Sequence, residues 1–206
     1  MRRTAAFFLL FLASFPAWGG PNFAFGPSAG LVLPLDGSIS HSLPSWGAGI
    51  DFRVTGFQPV VGLGLEAGYT RLHGPYRDSL RRDSSSYRYR YVPATLYLFT
   101  DFSRILGNTP AVLPYFRMGL GPCLWDLRRN GRLVPTPADT TRRSNQLDYA
   151  FIAGIGVERR LGRLPLAVFI DLSASYITSS HYEKYSAYDK DESYATASLG
   201  CRYLIP

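Results

Sequence analysis

Between residues 60 and 71 the chain reads VVGLGLEAGYTR. Val61, Leu63, Leu65, Ala67 and Tyr69 fall on one side of an extended backbone, and Gly62, Gly64, Glu66, Gly68 and Thr70 fall on the other. Alternation with period two is the mark of a strand with two unlike faces. Here one face is apolar and ends in a tyrosine, while the other is glycine around a single acid. A soluble sheet turns its apolar face inward and its charge outward. This strand fits the reverse arrangement, with the apolar side against lipid and Glu66 in a narrow lumen.

The rest of the chain bears on that inversion. Its 206 residues suffice for one domain of ordinary size. Arg2 and Arg3, an apolar run over residues 5–15 and then Ala17-Trp18-Gly19 have the form of a secretory leader cut after Gly19. The chain therefore divides into a signal peptide, residues 1–19, and a barrel domain, residues 20–206. The apolar run is too short to anchor the chain as a membrane helix, and no later run approaches the roughly 20 residues such a helix needs. A mature chain of this kind is either soluble or crosses a membrane as a closed barrel. With 14 Tyr, 13 Phe, 20 Gly and 18% charged residues, the composition fits a barrel. The two cysteines, Cys123 and Cys201, belong to strands whose geometry keeps them apart, and both are expected to be free thiols.

Eight extended segments can be read, at residues 23–35, 46–54, 60–71, 87–102, 113–125, 147–160, 166–177 and 193–203. The links between them alternate between long (36–45, 73–86, 126–146, 178–192) and short (55–59, 103–112, 161–165), as surface loops and periplasmic turns do in outer-membrane barrels. On the second, third, sixth and seventh segments the outward positions carry no charge, whereas the inward ones include Asp51, Arg53, Glu66, Glu158 and Asp171. The facing of the fourth segment is open, because both of its sides are apolar or aromatic. Rings gather at segment ends, where amphipathic side chains settle at headgroup level. Trp46, Tyr69, Trp125, Tyr149, Tyr176 and Tyr194 are expected in a loop-side girdle, and Phe23, Phe25, Phe116 and Tyr203 towards the turn side. The predicted fold is all-β, an eight-stranded antiparallel up-and-down transmembrane β-barrel.

Segment count, link alternation and inverted faces together resemble the small eight-stranded outer-membrane barrels of the OmpA- and OmpX-like superfamily, over the whole mature chain. The resemblance implies the outer membrane of a Gram-negative-type bacterium, a monomer surrounded by lipid and lipopolysaccharide, and no cofactor. Members often end on an aromatic residue, whereas this chain ends Tyr203-Leu204-Ile205-Pro206.

Three groups of residues could carry function. An eight-stranded barrel is only wide enough for its own side chains, so Asp51, Arg53, Glu66, Arg117, Glu158, Asp171 and Arg202 are expected to pair inside it. They read either as a satisfied polar plug or as the lining of a gated path. Arg77, Arg81, Arg82, Arg128, Arg129, Arg132, Arg142 and Arg143 in the long links are candidate lipopolysaccharide contacts, since guanidinium forks bind phosphate well. Export argues against nucleic acid as their partner. Some barrels of the resembled type process lipid A, and Ser179, Ser180, His181 and Glu183 are the weak candidates for such chemistry, with His41 and His73 in other links. Asp189, Asp191 and Glu192 lack a metal-loop pattern and are expected to be a solvated link; no metal site is predicted. The reading is a non-enzymatic structural or surface-interaction protein. The alternatives are a narrow pore, a conduit for hydrophobic solutes or, more remotely, a lipid A-modifying enzyme or a soluble lipocalin-like binder.

Overall fold

The structure, a computed structural model, describes residues 22–36, 42–56, 61–75, 86–102, 112–133, 135–136, 139–143, 145–162, 164–178 and 191–205. The predicted signal peptide lies outside the described residues. Eight long strands carry the fold: β1 (Asn22–Asp36), β2 (Ser45–Thr55), β3 (Val61–Pro75), β4 (Ser86–Asp101), β5 (Val112–Arg129), β6 (Asn145–Arg160), β7 (Leu166–Thr178) and β8 (Glu192–Ile205). Each pairs antiparallel with its neighbours in sequence. A last ladder joins β1 to β8, from Phe23 opposite Ile205 to Asp36 opposite Ser193. The sheet closes on itself as an eight-stranded up-and-down barrel, which leaves no open edge.

Several strands run past the bounds read from the sequence. β3 continues to Pro75, so His73 stands on a strand and not in a link. β5 continues to Arg129 and turns back at Asn130-Gly131, with φ of 48° and 81°, into Arg132–Leu133. Asn-Gly suits such a turn because both central residues must adopt left-handed backbone. The same link holds a second short pairing, Pro135–Thr136 with Asp139–Arg143. The stretch 126–146, expected as a polar link, is therefore partly strand.

Side chains alternate as the closed sheet requires. Ile50, Leu65, Met118, Ile155, Ile170, Leu172 and Leu199 are all exposed on the outer surface. A monomer in water rarely leaves so continuous an apolar surface bare, whereas a lipid-facing barrel wall consists of one. On β4, Val92, Leu96 and Leu98 face out, and Tyr91, Thr95, Tyr97 and Phe99 are buried inside. Glycines on adjacent strands decide this facing. Gly62 lies opposite Phe99 and Gly64 opposite Tyr97 in the β3–β4 ladder, and a Cβ on either would overlap the partner ring. Gly156 opposite Tyr115 and Gly200 opposite Phe169 repeat the arrangement. Large rings fit into a narrow lumen because the wall facing them has no side chain.

Two girdle assignments are overturned. Trp46, Tyr69, Tyr149 and Tyr176 stand exposed around the loop side, but Trp125 and Tyr194 point inward and are buried. Alternation decides both positions: Trp125 shares its face with buried Cys123 and Leu127, and Tyr194 shares its face with buried Glu192 and Arg202. At the turn side Phe25 packs against Tyr203 at 5.8 Å between ring centroids, and Phe23 against Phe52 at 6.1 Å. Cys123 is buried, Cys201 faces out, and both are free thiols.

Candidate functional site

The lumen has three storeys. Its turn-side storey is ionic. On β5, Arg117 donates through Nη2 to Asp171 Oδ1 at 2.6 Å and to Ser173 Oγ at 3.4 Å, and through Nη1 to Glu66. On β8, Arg202 donates through Nε to Asp51 and through Nη1 to Glu158 Oε2 at 2.7 Å. On β2, Arg53 lies 3.5 Å from Asp51 and 3.6 Å from Glu158, and donates to the Tyr97 hydroxyl at 2.9 Å. The seven residues named as lumen charges thus meet in one region, three guanidinium groups against four carboxylates.

Aromatic rings complete this storey. Tyr97 donates to Asp51, and Tyr115 donates to Asp171 Oδ2 at 3.1 Å. The Arg202 guanidinium lies 3.5 Å from the centroid of Phe169, and that of Arg53 lies 4.3 Å from the centroid of Tyr115. Desolvated guanidinium groups gain most from such ring faces. Sequence reading left Tyr97 out because the facing of β4 was undecided, and left out Tyr115 on β5 and Phe169 on β7 because it sought charges, not rings, on the inward faces.

Above the ions lies a cavity of about 60 Å³, room for a few water molecules. Ser28, Thr95, Ser173, Ser175, Thr196 and Ser198 line it with hydroxyl groups, Glu66 and Arg117 border it on the ionic side, and Tyr194 on the other. Its wall is irregular on one side. The β3–β4 ladder pairs Ala67 with Ala94 and resumes at Thr70 with Tyr91, omitting Gly68 and Tyr69. Pro93, which has no N–H to give to a ladder, stands in that interval, and both Gly68 and Pro93 line the cavity.

In the loop-side storey Leu72, Tyr89, Tyr91, Trp125, Leu127 and Tyr194 cluster and are buried. The Tyr91 and Tyr194 centroids are 6.0 Å apart. Trp125 Nε1 donates to Asp148 Oδ2 at 2.6 Å, and the Tyr91 hydroxyl donates to Glu192. Glu192 was expected in a solvated link; it is instead buried under these rings, while Asp191 is exposed and accepts from Tyr176. Asp189 lies outside the described residues.

Of the candidate lipopolysaccharide contacts, Arg128 is part-exposed, with Nε 3.3 Å from Asp126 Oδ1 and Nη1 3.4 Å from the Gly131 carbonyl oxygen, and Arg132 is exposed. Arg129, Arg142 and Arg143 lie on strands. Arg77, Arg81 and Arg82 lie outside the described residues, as do His41, Ser179, Ser180, His181 and Glu183. Three arginines missing from the sequence reading join this side of the molecule: Arg71 on β3, and Arg88 and Arg90 on β4. They share the outward face with His73, Asp126 and Arg128, directly beyond Tyr69. Partial burial first, then Arg71 and Arg88, hold the His73 imidazole below its ordinary 6.5. The signal that could have revealed this face is alternation carried past the apolar band.

No protein-family model and no curated protein matches the chain. Solved structures do match in fold. A major outer membrane protein from Thermus thermophilus superposes with a TM-score of 0.61 at 13% identity, over 91% of this chain and 100% of that one. The outer membrane protein OprG from Pseudomonas aeruginosa gives 0.52 at 15%, over 90% and 96%. Neisserial surface protein A gives 0.51 at 14%, over 90% and 99%. The chain thus has the fold of the small eight-stranded outer-membrane β-barrels.

Proposed function

We propose that the protein resides in the outer membrane as a closed, monomeric barrel and acts at the cell surface through its loop end, with lipid and lipopolysaccharide as its surroundings. The observation that carries this reading is the filled lumen. An ionic storey and an aromatic storey flank a cavity with room for only a few waters. A pore needs a continuous path, and the buried side chains of both storeys oppose one. Detergent-refolded protein is expected to migrate differently on an SDS gel before and after boiling, because a barrel without an edge resists SDS until heated. In planar bilayers it should leave conductance at the baseline. Steady unitary currents would overturn the closed-lumen reading, and heat-independent migration of protein soluble without detergent would overturn the membrane reading.

One observation favours a second reading, a conduit for hydrophobic solutes. The interrupted ladder at Gly68 and Pro93 sets a weak point of the wall beside the cavity. There a Cβ on Gly68 would meet only ordinary contacts, Pro93 Cγ at 3.4 Å being the nearest. On the first reading, vesicles containing the protein take up a small apolar solute no faster than empty vesicles. Faster uptake that Gly68→Leu abolishes would establish the conduit.

A further inference from the structure

We infer that the outward face of β3, β4 and β5 just beyond the tyrosine girdle is a binding site for the phosphate groups of outer-leaflet lipid headgroups. This deepens the proposed surface role and rests on its membrane placement. The outward positions of these strands change character at one level. Below it stand Tyr69, Val92 and Leu124; beyond it stand Arg71 and His73, Arg88 and Arg90, Asp126 and Arg128. The inward residues between them, Leu72, Tyr89, Tyr91 and Leu127, remain buried. The strands have not frayed into solvent; only their outer faces have turned cationic.

Cross-strand registry concentrates the charge. Arg71 lies opposite Arg90, His73 opposite Arg88, and Arg88 opposite Arg128. Like charges directly opposed destabilise a ladder, and the acid on this face, Asp126, pairs with Arg90 and Arg128. Arg71 and Arg88 keep a buried Nε with no hydrogen-bond partner among the described residues. Asp126 thus pairs with two of the four guanidinium groups and leaves the face net positive, and phosphate, with several acceptor oxygens, matches the guanidinium fork.

The level and direction of the face identify the source of that phosphate. Arg71 is two residues past Tyr69, about 7 Å along an extended strand, where headgroups begin if the girdle marks the hydrocarbon boundary. Because alternation directs these side chains sideways, they meet a lipid lying beside the barrel and not a macromolecule above it.

Native mass spectrometry of the full chain refolded in neutral detergent tests the site, using phosphatidic acid, phosphatidylcholine with the same acyl chains, and inorganic phosphate as probes. The wild type is expected to retain phosphatidic acid about tenfold or more tightly than phosphatidylcholine, the worth of one or two charge-assisted hydrogen bonds. Arg71→Gln with Arg88→Gln should lose that preference, keep its heat-dependent gel mobility, and unfold no more readily than the wild type in lipid-free detergent, because it relieves opposed charges. If the double variant does not fold, Arg88→Gln alone serves and should lose part of the preference. Equal retention of both lipids by the wild type, an unchanged preference in the variant, or displacement of phosphatidic acid by inorganic phosphate at matched concentration would each overturn the site. Absence of the gel shift in the wild type would instead overturn the membrane reading on which the site rests.

Discussion

Replacing Arg202 by alanine is expected to cost the barrel about 3–5 kcal/mol of stability, the usual loss when one partner is removed from a buried ion pair. Arg202 is the largest fully buried side chain among the described residues and bonds to both Asp51 and Glu158. Without it two guanidinium groups face four carboxylates in a space closed to bulk water. Urea titration in detergent, read by heat-dependent gel mobility, measures the loss. Adding Glu158→Gln to Arg202→Ala should recover part of it, because one orphaned charge is then removed. A loss below about 0.5 kcal/mol, the scale of ordinary surface substitutions, would mean that the carboxylates are hydrated or protonated and that the lumen is wet.

Leu172→Arg should destabilise the protein by about 2–4 kcal/mol, as arginine does on the lipid face near the bilayer midplane. Leu172 is exposed on β7, well inside the band between Tyr176 at the girdle and the turn-side end of the strand. At Tyr176 the same substitution should cost only about 0–1 kcal/mol, because the penalty falls towards the interface. Unfolding free energies of the two variants in lipid vesicles check the difference. If water surrounded the barrel, both substitutions would be near neutral, so equal and small losses would sink the inverted facing.

The barrel was legible in the sequence because period-two alternation survives wherever one face meets lipid and the other a polar lumen. β3 and β7 show this most clearly, with small, hydroxyl or charged residues between large apolar ones. β4 defeated the same reasoning, since tyrosines inside and leucines outside are both apolar by count. Its facing is encoded elsewhere, in Gly62 and Gly64 of β3, which become informative only once registry sets them opposite Phe99 and Tyr97. Trp125 and Tyr194 were misplaced because ring type and position near a strand end were weighed above parity. Their N–H and O–H groups could have found headgroups, but Trp125 donates to Asp148 inside. The arginine face was missed because Arg71, Arg88 and Arg90 stand at the ends of segments read as strand, past the positions where hydrophobic alternation assigns a face, and because β3 and β5 run beyond their read bounds to His73 and Arg128.

The path from Arg202 to Asp51 bears on how the barrel is made. Arg202 belongs to the last strand and Asp51 to the second, and between them β1 contributes Gly26, which lies opposite Asp51 in registry. A Cβ on Gly26 would strike the backbone of Cys201 and Arg202, so the first strand is bare where the guanidinium crosses it. The bond forms only once the two ends of the chain have met. Until then an inserted, unclosed sheet would hold carboxylates and guanidinium groups without partners in hydrocarbon, where each is costly. The contact that crosses the seam between the first and last strands is therefore also one that neutralises Arg202.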